Sequence, residues 1–148
     1  MNIREFDYQN DISLYVSGDI EAFKESFPGI TIPSILKSEI EHGFKSFCIN
    51  DFNCAYTAVE NEKPVGFVVV SIHYFYMIPQ GYIESIYVDS DHRGNGISHE
   101  LINKATEWAR SKGANTIRLD VSLTNEIAIS AYQKNGFIQT RIQMEKFT

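Results

Sequence analysis

Between residues 52 and 88 apolar side chains gather into short runs rich in β-branched and aromatic residues, and on either side they recur at intervals of three and four. The runs cover residues 53–59 (NCAYTAV), 66–75 (GFVVVSIHYF) and 81–88 (GYIESIYV). Glu60-Asn61-Glu62-Lys63-Pro64 joins the first two as a hairpin, and Pro79 and Gly81 mark the approach to the third, so the pattern predicts an antiparallel meander. A helix follows. Ile97, Leu101, Ile102, Ala105, Trp108 and Ala109 fall on one face, Glu100, Asn103, Lys104, Glu107 and Arg110 on the other, with Gly113 as the stop. Beyond it the pattern predicts a strand over 116–121, a short helix over 126–134 stopped by Asn135-Gly136, and a last strand over 137–146. Ahead of the meander, residues 2–7 read as a short strand and 9–26 as a helix broken near Gly18. A second helix is expected from Thr31 as cap, with Pro33 in its first turn, to His42, with Gly43 as its stop. Strands with helices returning across them make a mixed α+β fold.

Composition leaves that fold class intact and narrows the partners. A chain of 148 residues, 43% hydrophobic, with 10 Phe, 8 Tyr and 1 Trp, can bury one substantial core, so a single domain over residues 1–148 is expected. A net charge of −6 disfavours a nucleic-acid partner, and the lack of a basic amphipathic helix disfavours a membrane one. The N-terminal stretch carries no apolar leader and no window approaches 18 apolar residues, so a cytoplasmic protein is expected. Cys48 and Cys54 have no companion Cys or His cluster; they read as two reduced hydrophobes, and no metal is expected. The charge is uneven: residues 1–62 hold 11 acids and 4 bases, residues 63–148 hold 8 acids and 9 bases.

The polar turn Arg93-Gly94-Asn95-Gly96-Ile97-Ser98 lies between a predicted strand and a predicted helix. Glycines there let successive amides point outward, the helix start adds unsatisfied N–H groups and a positive dipole end, and Arg93 adds a guanidinium suited to paired phosphate oxygens. Two readings stand, a pyrophosphate cradle or a tight connection. A P-loop is excluded because no Gly-Lys-Ser/Thr follows, and a dinucleotide fingerprint because the turn follows a meander and lacks the third glycine.

Ile86-Tyr87-Val88 followed by Arg93-Gly94-Asn95-Gly96-Ile97 resembles the acetyl-coenzyme A motif of the GNAT superfamily of N-acetyltransferases, Gln/Arg-x-x-Gly-x-Gly/Ala. A second block of that superfamily is matched by Asn125, Ala128, Tyr132 and Lys134-Asn135-Gly136-Phe137. The resemblance covers roughly residues 52–148; Ser98 departs from the usual Gly or Ala, and Ser90 from a common Pro. It implies a central, largely antiparallel sheet of six to seven strands flanked by about four helices. It also implies acetyl-CoA as co-substrate, an amine acceptor and, as dimers are common in the superfamily, a homodimer. By the same resemblance Ile86, Tyr87 and Val88 offer backbone groups to the pantetheine arm, residues Arg93, Gly94, Asn95, Gly96, Ile97 and Ser98 hold the pyrophosphate, Asn125 bonds the pantetheine, and Tyr132 is the general acid.

Glu84 is the candidate base. A carboxylate inside the apolar run YIESIYV is disfavoured unless something is gained, and strict alternation puts it on one face with Tyr82, Ile86 and Val88. Polyamine and aminoglycoside N-acetyltransferases place Glu in the similar strand. The other readings are a group that binds the acceptor's cation and an exposed charge on a solvated face. His73 reads as a hydrogen-bonded structural residue, His92 as part of the turn, His99 as a polar helix position, and Asp120 as a second in-strand acid near the acceptor. Tyr74-Phe75-Tyr76-Met77 reads as core packing rather than a substrate wall. The expected activity is transfer of acetyl from acetyl-CoA directly to a primary amine, a small cationic acceptor given the acidic first part. The alternatives are an amino-acid or protein N-terminal acetyltransferase and a non-catalytic acyl-CoA-binding module.

Overall fold

A computed structural model describes residues 1–47 and 50–148; Cys48 lies outside the described residues. The chain runs β1 (Asn2–Glu5), α1 (Tyr8–Ser26), α2 (Leu36–Phe47), β2 (Asn53–Glu60), β3 (Lys63–Phe75), β4 (Ile78–Val88), a single 3-10 turn (Ser90–His92), α3 (Ile97–Ser111), β5 (Ile117–Arg118) and α4 (Glu126–Lys134). The strands form one sheet in the order β1-β2-β3-β4-β5, antiparallel except for the β4–β5 pair. The expected α+β architecture is present, with five strands among the described residues in place of six to seven.

Alternation in β3 divides the core. Val68 and Val70 join Ile83, Leu101, Ile102 and Ala105 under α3, whereas Phe67 and Val69 join Tyr87 and Phe44 under α1 and α2. Such burial on both faces is why this run reads as almost continuously apolar. Asn61 and Glu62, both at positive φ, close the β2–β3 hairpin in two residues rather than five. Tyr76 and Met77 close the β3–β4 hairpin in the same way. Tyr76 and Met77 are exposed, so the predicted core role of Tyr74-Phe75-Tyr76-Met77 does not hold.

Four other expectations change. α1 runs unbroken through Gly18: a Cβ there would sit 2.6 Å from the Tyr87 ring, so the missing side chain lets the helix lie against the sheet. α2 starts at Leu36, beyond a turn in which the Leu36 amide donates to the Pro33 carbonyl, and it passes Gly43 because buried Phe44 anchors the turn that follows. β5 is two residues, not six, since β4 is bulged just beyond the paired Gly81 and Tyr82. Residues 137–146 form no strand: two residues of β5 offer no edge to pair with, and Ile138, Ile142 and Met144 stay exposed.

Candidate active site

In the β3–β4 register Val70 faces Ile83 and Val69 faces Ser85, which leaves Glu84 as the inserted residue of a β-bulge. The insertion breaks the side-chain alternation. Glu84 and Ser85 both open toward α1 and α2, whereas Ile83 and Ile86 pack toward α3. Tyr82 therefore shares the Glu84 face, as alternation predicts, but Ile86 and Val88 do not. Beyond Tyr82 the second edge of β4 has no strand beside it among the described residues, because β5 pairs with Gly81 and Tyr82 alone there. An open edge of backbone N–H and C=O groups is what an extended amide chain can pair with.

The Glu84 carboxylate is held through one oxygen. Ser71 Oγ donates to Oε1, and His73 Nε2 lies 2.8 Å from the same atom; neither contact uses Oε2. His73 stacks on Tyr82, with centroids 4.8 Å apart and planes at 15°. The Tyr82 hydroxyl donates to Asp120 Oδ2 at 2.5 Å, and burial together with that carboxylate pushes the phenol up. Glu84 borders a cleft of about 340 Å³ between α1, α2 and the sheet, lined also by Tyr15, Asp19, Glu39, Phe44 and Ser85. Burial pushes the Asp19 carboxyl above its ordinary value, a shift that the 2.9 Å bond from Ser85 Oγ only partly offsets. The described lining thus holds three carboxylates and no basic side chain. Sequence reasoning missed Asp19, Glu39 and Ser71. The available signals were the acid excess of residues 1–62 and a serine two residues from His73 in an otherwise aliphatic run.

The glycine turn sits where the sequence places it. Gly94 and Gly96 have φ of +82° and +79°, and Gly96 caps α3 with no side-chain bond. The first amide of the helix to reach a helical carbonyl is that of Glu100, on Gly96. Exposed Gly94, Asn95 and Gly96 therefore lead into the positive end of a 15-residue helix, an arrangement suited to phosphate. Ile97 is buried, so its side chain serves the core and only its amide belongs to the turn. Arg93 points elsewhere: Nε donates to the Val88 carbonyl at 2.9 Å, and the guanidinium lies 3.2 Å from Glu25 and 3.9 Å from Glu21 on α1. The Tyr87 hydroxyl donates to Glu21 at 2.6 Å.

Asn125 caps α4, its Oδ1 accepting from the Ala128 amide. That helix carries Tyr132, which, like Ile86 and Val88, packs on the α3-side core and lies edge-on to Phe137. Burial pushes its phenol up. His99 Nδ1, 2.6 Å from Asn135 Oδ1, ties the start of α3 to the end of α4. Glu84 and Tyr132 thus lie on opposite faces of the sheet. His92 lies in the 3-10 turn, 3.5 Å from Glu60. Among the described residues no group of three or more His, Cys, Asp or Glu could hold a metal, and no helix is long and apolar enough to cross a membrane.

A family model described as the acetyltransferase (GNAT) family matches residues 20–137. This chain belongs to that family. An uncharacterised N-acetyltransferase of Methanocaldococcus jannaschii is 35% identical over 102 residues, 67% of this chain and 45% of the relative. The chain therefore spans less than half of that curated relative's length. A predicted acetyltransferase of Clostridium acetobutylicum, solved with acetyl-CoA, superposes with a TM-score of 0.79 at 25% identity over 99% of this chain and 95% of the other. The enzyme AAC(6')-Iy, solved with a bisubstrate analogue of CoA and acetylneamine, also gives 0.79, at 21% identity over 99% and 97% of the two chains. The GNAT fold is thus shared across the chain, including the residues ahead of position 52 that the two motif blocks do not reach.

Proposed function

We propose that this GNAT chain transfers the acetyl group of acetyl-CoA directly to a primary amine of a small cationic acceptor, with Glu84 as base and Tyr132 as acid. The observation that carries the proposal is that Glu84 opens to the α1–α2 cleft and Tyr132 packs on the α3 side of the same sheet, whose β4 edge is left unpaired beyond Tyr82 among the described residues. Coenzyme approaches from the α3 side, its pyrophosphate on the amides of residues 94–98 and its pantetheine arm along Ile86, Tyr87 and Val88, with Asn125 beside it. The solved Clostridium relative with acetyl-CoA supports that choice of donor. The acceptor enters from the α1–α2 side, where Asp19, Glu39 and Glu84 favour positive charge.

Glu84 takes one proton from the acceptor's ammonium, and the freed amine attacks the thioester carbonyl. As the tetrahedral adduct collapses the C–S bond breaks and the sulfur takes the Tyr132 proton; the second nitrogen proton restores the phenol. The products are the N-acetyl amine and CoA thiol, and the proton on Glu84 leaves to solvent. A phenol pushed up by burial stays protonated at neutral pH, as a donor must. Glu84→Gln and Tyr132→Phe are each expected to lower kcat by about 10²-fold or more while acetyl-CoA still binds. Wild-type kcat in both variants would show that neither residue has its assigned role.

A further inference from the structure

We infer that Ser71 and His73 form a clamp that fixes the Glu84 carboxylate through Oε1 and leaves Oε2 as the proton-accepting atom. The inference rests on the reading of Glu84 as base and extends it to two positioning residues on β3. Ser71 is 3% exposed in a strand segment otherwise filled by Phe, Val and Ile. A hydroxyl buried there needs a partner, and it finds one in Glu84. His73, two residues on, shares the face and reaches the same oxygen. The bulge presents the Glu84 side chain to both donors, since it inserts that residue between the Val70–Ile83 and Val69–Ser85 pairs, on the face that Ser71 and His73 share. With Oε1 engaged twice, rotation of the carboxylate is blocked and Oε2 remains for the cleft.

The charges around Glu84 make the clamp necessary. Asp19 borders the same cleft from α1, Glu39 from α2, and Asp120 lies behind Tyr82; all are carboxylates, and none can hold the Glu84 side chain in place. The groups that can are the two β3 donors, which meet at Oε1. To donate through Nε2 a neutral His73 carries its proton there, and stacking on Tyr82 fixes the plane of the ring.

Carbon-13 NMR of protein labelled at the glutamate carboxyls reads the effect in the free protein, without an acceptor. The Glu84 carboxyl resonance at neutral pH is expected to shift in Ser71→Ala and His73→Leu, and to return most of the way in His73→Gln, which keeps an N–H donor. An unmoved resonance in both loss variants overturns the clamp. The long-range ¹H–¹⁵N spectrum of wild-type His73 needs no variant: a proton on Nε2 is expected, and a neutral ring protonated only on Nδ1 overturns the proposal. In turnover, Ser71→Ala and His73→Leu are expected to lower kcat about tenfold with unchanged acetyl-CoA affinity, and adding His73→Leu to Glu84→Gln to cost nothing more. Full kcat in Glu84→Gln would mean that the base is misassigned, whereas an impaired Glu84→Gln beside an unimpaired His73→Leu would mean that only the clamp is wrong.

Discussion

Asp11 and Asp19 sit two turns apart on α1 and show how the donors around a carboxylate decide what burial does to it. Asp11 is fully buried; its oxygens accept from Arg4 Nη1 and Nη2 at 2.6 and 2.8 Å, from the Asp7 amide at 2.8 Å and from Thr57 Oγ1 at 2.7 Å. Burial alone would push this carboxyl up, but the bonds outweigh it and hold it below the ordinary aspartate range. Asp11→Ala leaves Arg4 and Thr57 without their acceptor and is expected to cost about 3 kcal/mol in urea unfolding. Because the folded group is the stronger acid, its contribution is complete above the unfolded value of about 4 and is lost as pH falls below that toward the folded value. Asp19 accepts from Ser85 and is pushed up by burial, so its ionised form opposes folding at neutral pH. Asp19→Asn is expected to raise the melting temperature of the free protein at pH 7 and to raise the acceptor's KM about tenfold. A lower melting temperature with unchanged KM would contradict its place in an acceptor cleft.

Elements here are set by contacts that sequence patterns record only in part. Gly18 reads as a helix break in one dimension, yet in the fold it is where α1 touches Tyr87 and Phe67. Gly18→Ala is expected to improve local helix propensity and still cost about 1–3 kcal/mol, since a Cβ would meet ring atoms 2.6–2.9 Å away. Gly96 is the opposite case. A Cβ there meets nothing within 4 Å, but φ is +79°, so Gly96→Ala is expected to strain the start of α3 by about 1–2 kcal/mol and weaken acetyl-CoA binding in calorimetry. α3 and α4 are legible at nearly their observed bounds because amphipathic spacing and stop signals agree. β5 and residues 137–146 are not, because a strand exists only beside a partner, and the bulge that withdraws β4 leaves no local trace beyond an isolated Glu84. The turn that reads as a phosphate cradle was visible from its glycines, whereas the engagement of Arg93 by Glu21 and Glu25 depends on α1 crossing above it.

At the scale of the molecule the charge asymmetry becomes a division of labour between the faces of one sheet. Acids of the first 62 residues contribute Asp19 and Glu39 to the α1–α2 face, while the near-neutral remainder supplies the glycine turn and α4 on the other. The open β4 edge is where the two faces communicate, and the proposed reaction crosses it. The direct test is thiol release from acetyl-CoA over a panel of polyamines, aminoglycosides, amino acids and peptides. The account predicts acceptor-dependent release that is strongest for polycationic amines and is lost in Glu84→Gln. Binding of acetyl-CoA with no release for any amine, or release that favours anionic or neutral acceptors and survives Glu84→Gln, would contradict it.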